Sequence, residues 1–135
     1  MNRRLWLFLA AMFSLSFGTA LAQSSTPLPP TVKIAQKADA SMFTGANGMT
    51  LYTFDPDPVG KSVCNGPCAV HWPPLGASAD AKPVGTFTIV TRDDGALQWA
   101  YDGKPLYFWF KDKAPGDTTG DGVGGKWHVA RPAAP

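Results

Sequence analysis

The sequence predicts an all-β fold in which two pseudo-symmetric antiparallel meander repeats form one small sandwich or partly closed barrel. Three observations carry that expectation. The first is internal repetition at a constant offset of 55 residues: Gly48, Leu51, Tyr52 and Asp57 return as Gly103, Leu106, Tyr107 and Asp112. Ile34, Asp39 and Trp72 return in the same register as Ile89, Asp94 and Trp127, with Met42 set against Leu97 and no gap needed. The second is the pair Asn47-Gly48 and Asp102-Gly103, each between apolar runs at matching places. Such dipeptides make two-residue hairpin turns because both central residues take positive φ. The third is composition: 14 Gly, 13 Pro and no Glu disfavour helices and favour turns.

Taken in chain order, residues 1–22 read as an export signal. Arg3 and Arg4 begin it, Leu5 to Phe17 is its apolar stretch, and Ala20-Leu21-Ala22 places the cleavage after Ala22. Residues 23–30 read as an extended leader, 31–132 as a single β-domain and 133–135 as a tail. The first repeat covers about 31–75 and the second about 86–130. Strands are expected at Val32 to Lys37, Ser41 to Ala46 and Met49 to Phe54, and again at Phe87 to Thr91, Ala96 to Tyr101 and Pro105 to Phe110. Each repeat then enters an irregular loop ending at a tryptophan. Lys126 to Ala130 reads as a closing strand, whereas Trp72 precedes Pro73-Pro74, which cannot donate to a ladder and belongs at an edge or off the sheet.

Charge excludes one class of partner. Two of the 12 Lys and Arg residues lie in the signal, so the remainder balances the 10 acidic residues, all of them Asp. A neutral chain with dispersed lysines has no electrostatic footprint for nucleic acid. The signal's apolar stretch is shorter than the roughly 20 residues of a membrane span, so no stable insertion is expected after cleavage. The expected partner is a protein or small ligand met after export.

Chemistry concentrates in the first repeat. Cys64-Asn65-Gly66-Pro67-Cys68 holds the chain's 2 cysteines, and two cysteines alone in an exported chain are expected to form a disulfide. The alternative is a metal or thiol-redox site in which Cys64, Cys68 and His71 hold copper or zinc, since thiolate and imidazole suit both ions. The second repeat has Thr119 and Val123 at the cysteine positions, so the loop is reachable without sulfur. No cofactor is otherwise implied.

Tyr52 with Asp57, and Tyr107 with Asp112, form a repeated Tyr-x4-Asp pattern. Five residues along a straight strand put two side chains on opposite faces. The aspartate is therefore expected to fold back and pin a tyrosine hydroxyl or loop amides, a structural role favoured over an acid/base pair because the pattern stands in both copies. Trp72, Trp127 and His128 are a candidate binding surface beside the loop Pro58 to Trp72, and His71 and His128 converge if a pseudo-twofold joins the two tryptophan segments. No nucleophile elbow, phosphate loop or paired catalytic carboxylates occur, so the reading leans away from an enzyme.

Several segments also carry a family resemblance: Leu51 to Asp57, Cys64 to Ala69, Trp72-Pro73-Pro74-Leu75, and Gly116 to Gly120 with Gly122 to Val129. Together they resemble a bacterial family of secreted repeats with a Tyr-x4-Asp motif, described as predicted lipoproteins of unknown function. The resemblance covers about residues 31–132 and implies an exported β-repeat. No lipidation cysteine stands near the signal cleavage site, which implies a periplasmic form without an anchor. Function is expected to be non-enzymatic binding or an accessory role, with the copper, zinc or thiol-redox role as the alternative.

Overall fold

A computed structural model describes residues 26–134, with positions 14, 16, 18 and 19 ahead of them. Apart from those positions, the export signal and its cleavage site lie outside the described residues. Seven strands are described: β1 Val32–Lys37, β2 Ala40–Gly45, β3 Tyr52–Phe54, β4 Phe87–Thr91, β5 Leu97–Tyr101, β6 Lys104–Pro105 and β7 Trp127–Val129. A five-residue helix, α1 Pro67–His71, and a 3-10 turn at Val123–Gly125 lie in the two long loops, both expected to be irregular. The strands pair antiparallel in three small sheets, ordered β1-β2, β3-β7 and β4-β5-β6. Among the described residues they do not close into a barrel, and three small antiparallel sheets are compatible with a sandwich-like arrangement.

The repeats are related by pseudo-twofold symmetry, and they are interleaved. Closing strand β7, from the second repeat, pairs with β3 of the first, aligning Tyr52, Thr53 and Phe54 with Val129, His128 and Trp127. The first repeat's closing segment returns the exchange. Pro73 and His71 carbonyls accept from the Phe108 and Phe110 amides at 2.7 and 3.0 Å. Proline supplies carbonyls only, so this segment makes bridges and no regular strand. On the axis itself, Tyr52 and Tyr107 exchange both backbone hydrogen bonds, at 2.8 and 3.0 Å. That exchange explains why the third strands are shorter than expected. From Tyr52 and Tyr107 onward each leaves its own hairpin partner to meet the other repeat.

One core cluster is written as four twin pairs: Val32 with Phe87, Phe43 with Trp99, Leu51 with Leu106, and Leu75 with Ala130, all buried. The pair Phe43 and Trp99 shows that the ungapped register is off by one residue in the second strand. Lys37 and Ala40 close β1 and β2 around two residues, whereas Arg92 and Ala96 close β4 and β5 around three. The next turn compensates. Gly45 and Met49 close a three-residue loop, where Tyr101 and Lys104 close a two-residue one. The extra residue in one turn cancels the extra residue in the other, which restores the offset of 55. Met42 is thus the twin of Gln98, not of Leu97, a difference that moves a side chain to the opposite face.

The same comparison corrects one turn. Asp102-Gly103 is the expected two-residue hairpin, with φ of 51° and 76°. Asn47-Gly48 belongs to the longer loop, and of the two only Gly48 takes positive φ, at 80°. The leader is anchored on the domain. Leu28 packs on the core and Pro29 is fully buried, its carbonyl accepting from the Val32 amide at 3.0 Å.

Candidate functional site

The repeated tyrosines and aspartates pair across the repeats, not within them. Tyr52 donates to Asp112 Oδ2, and Tyr107 donates to Asp57 Oδ2, both at 2.6 Å. Each aspartate also gathers its own loop: Asp57 accepts from the Val63 amide, and Asp112 from the Thr119 amide and hydroxyl. Every Tyr-x4-Asp segment therefore supplies the hydroxyl for one clamp and the carboxylate for the other. A cation reinforces each loop in the same crossed sense. Lys37 of the first repeat bonds the Gly116 carbonyl and Thr118 of the second. Arg92 of the second bonds Ser62, the Cys64 carbonyl and Asn65 of the first.

Around Arg92 the clamp becomes a buried relay. Its guanidinium donates to Ser62 Oγ at 2.8 Å and to Gln98 Oε1 at 2.7 Å. Ser62 Oγ lies 2.6 Å from Tyr107 Oη, and since Tyr107 donates to Asp57, the serine proton points to the tyrosine. Burial is the chief cause that pushes both phenols well above their ordinary value near 10, and the aspartate bonds add to it. Burial likewise lifts the Asp57 carboxyl above its ordinary range. Phenols held this firmly in the neutral form are donors and make poor bases.

These shifts have a signed consequence. A phenol whose folded pKa exceeds its unfolded value of about 10 stabilises the fold in full below that pH and loses the contribution as pH rises. Urea midpoints are expected to hold up to about pH 10 and to fall above it. A Tyr52→Phe, Tyr107→Phe variant should start lower at pH 8 and decline less steeply.

Cys64 and Cys68 form a disulfide, with Cα atoms 5.2 Å apart. Cys64 is fully buried. Their sulfurs are bonded to one another, so thiolate ligation of copper or zinc with His71 requires prior reduction. Among the described residues no three His, Cys, Asp or Glu side chains converge as a metal-ligand set. Asp57, Ser62 and the Cys64 carbonyl are all held by the second repeat, which makes the bridge a local staple on an independently clamped loop. A Cys64→Ser, Cys68→Ser variant is expected to keep its circular dichroism and lose about 2 kcal/mol in urea unfolding, the loop-closure value for so short a ring.

The aromatic candidates are placed differently from the expected surface. Trp72 and Trp127 stack at 3.7 Å with planes 3° apart, and Trp109 and Phe54 extend the stack at its two ends at 4.0 and 4.2 Å. Trp72 and Trp127 are only 4% and 5% exposed, so they form core on the pseudo-twofold axis and offer no binding face. Gly120 lies against the stack, and a Cβ there would sit 2.9 Å from both Trp72 and Trp109. His71 and His128 do not share a site: His71 packs on the Phe110 ring, and His128 pairs with Asp55 at 2.8 Å on the other side of the exchange.

On the His128 side lies an open cleft of about 220 Å³, lined by Thr53, Asp55, Tyr101, Asp102, Lys104 and the segment His128 to Arg131. Its origin is a difference between twins. On the other side Phe108 fills the space over Gly45, where a Cβ would meet the Phe108 ring at 2.8 Å. Here the twin of Phe108 is the short Thr53, and Tyr101, in the place of Gly45, turns its ring onto Phe43 and Phe87. The charges follow the same division. Asp55, Lys104, His128 and Arg131 have Phe110, Met49, Pro73 and Gly76 as twins. Of this group sequence reasoning singled out His128 alone, although Asp55 against Phe110 was a readable signal. A second, larger hollow of about 490 Å³ lies over Trp99, but most of its wall comes from residues 78–84 between the repeats, which have no twin to compare.

A family model described as a secreted repeat of unknown function matches residues 33–76 and again residues 88–131. No curated protein and no solved structure matches the chain. Among the described residues no helix is long and apolar enough to cross a membrane.

Proposed function

This chain belongs to the Lipoprotein_15 family of secreted repeats, and from that premise we propose that it acts in the periplasm as a non-enzymatic binding module whose ligand enters the Thr53–His128 cleft. One observation supports this reading above the others: a polar hollow stands open at a place that its structural twin fills with Phe108. The residues that resemble catalytic groups, Tyr52, Tyr107, Asp57 and Asp112, are spent on holding the two loops. They recur in both repeats, as architecture does. The cleft occurs on one side only, and duplication leaves such sites free to diverge.

The test is to fill the cleft as its twin is filled. Thr53→Phe is expected to leave the melting temperature within a few degrees of wild type, because strand residues tolerate aromatic side chains. It should abolish stabilisation by any ligand that a thermal-shift screen of periplasmic metabolites finds for the wild type. A ligand that stabilises both proteins equally would remove the cleft from consideration. Cell fractionation with intact-mass analysis checks the location, with a mature chain beginning at Gln23 as the expected product.

A further inference from the structure

The cleft's charges specify more than polarity. Its wall carries two fixed cations, Lys104 and Arg131, and two carboxylates, Asp55 and Asp102. Their existing engagements are unequal. Asp55 is held by His128. Arg131 spends one N–H on the Ser41 carbonyl at 3.2 Å and keeps its other donors. Among the described residues neither Lys104 nor Asp102 makes a side-chain hydrogen bond or ion pair. Both sit on the same tight turn, either side of Gly103, and yet do not pair with each other.

That turn is held from outside the cleft. The Gly103 carbonyl accepts from the Gly60 amide at 2.8 Å, and Val59 fills the space a Gly103 Cβ would need. The two unpaired charges are thus borne on a fixed backbone, which limits the ordering cost of using them. Burying either one against an uncharged ligand would strip its water with no partner in return. A simple anion satisfies Lys104 and Arg131 but meets the Asp55 and Asp102 carboxylates. A simple cation meets the reverse conflict.

We infer that the cleft takes a small zwitterion of the free amino acid class, with its carboxylate toward Lys104 and Arg131 and its ammonium toward Asp102. The inference rests on the cleft being the binding site. It agrees with the volume of about 220 Å³, which falls short of the roughly 300–1,000 Å³ of pockets for drug-sized ligands. Arg131 and Lys104 supply donors of two geometries, the planar fork and the point charge, that a single carboxylate can accept together.

L-alanine, propionate and ethylamine separate the classes, since the last two each lack one of alanine's charges. Titrated into the oxidised mature protein and followed by backbone amide shifts at Thr53, Gly103 and Val129, alanine is expected to saturate. Propionate and ethylamine should bind at least tenfold more weakly. Lys104→Gln and Asp102→Asn should each weaken alanine by tenfold or more, and Thr53→Phe should abolish its shifts. If propionate or ethylamine matches alanine and Thr53→Phe removes it, the zwitterion assignment falls while the cleft stands as the site. If alanine's shifts map elsewhere and survive Thr53→Phe, the cleft itself is refuted. Absence of alanine shifts at millimolar concentration overturns the zwitterion assignment.

Discussion

Replacing Trp127 with alanine is expected to destabilise the protein by about 3–5 kcal/mol, the usual cost of deleting a buried aromatic side chain. The indole sits between Phe54 at 4.2 Å and Trp72 at 3.7 Å, with the Tyr107 ring edge-on at 5.1 Å. Truncation removes contacts to both repeats at once, because Trp72 and Phe54 belong to the first and Tyr107 to the second. Neighbours in a stack cannot collapse into the gap without breaking their own contacts, which keeps the cost near the top of the range. Trp72→Ala should behave alike, since Trp127, Trp109 and an edge-on Tyr52 surround it in the twin arrangement. Urea unfolding measures the loss, and near-UV circular dichroism should lose most of its indole coupling. A cost below about 1 kcal/mol would place the two tryptophans outside the core.

The stack shows what the sequence could and could not convey. The equivalence of Trp72 and Trp127 was legible, because a constant offset linked them. Their burial against one another was not, because repetition says which positions correspond and nothing of how the copies are docked. The strands show the same division. Val32–Lys37 and Phe87–Thr91 were legible to the residue from the repeat register and the turns beside them. The second strands slipped by one because turn lengths at Ala38-Asp39 and Asp93 to Gly95 differ, and an identity count across a whole repeat hides paired insertions that cancel.

The candidate site was least legible for a related reason. Trp72, Trp127 and His128 drew attention through residue type, which marks packing as readily as binding. Thr53 drew none, and yet its shortness creates the hollow. A cleft formed by the absence of a phenylalanine ring can be read only against the position where that ring is present. The linear alignment places Thr53 opposite Phe108 and Asp55 opposite Phe110, but only the exchanged closing segments show that these residues face corresponding places.

The crossed clamps make the second large prediction, and it discriminates between two wirings of the same four residues. If each Tyr-x4-Asp segment pinned itself, Tyr52 would couple energetically to Asp57. The structure pairs it with Asp112 at 2.6 Å, where the carboxylate also accepts twice from Thr119. Asp112→Ala is expected to cost about 3 kcal/mol or more, since a buried hydroxyl and an amide lose a charged acceptor together, at roughly 1.5–3 kcal/mol for each such bond. Tyr52→Phe should cost about 1–3 kcal/mol, chiefly through the carboxylate left short of a donor. Combined, the two losses should fall short of their sum by about 1 kcal/mol or more, while Tyr52→Phe with Asp57→Ala should be additive within about 0.5 kcal/mol. The mirror cycle, Tyr107 with Asp57 against Tyr107 with Asp112, should give the same pattern. Coupling confined to residues within one repeat would mean that the halves are joined only by packing. Coupling across them means that neither loop is held until both repeats are in place, so the cleft at their junction forms only in the complete fold.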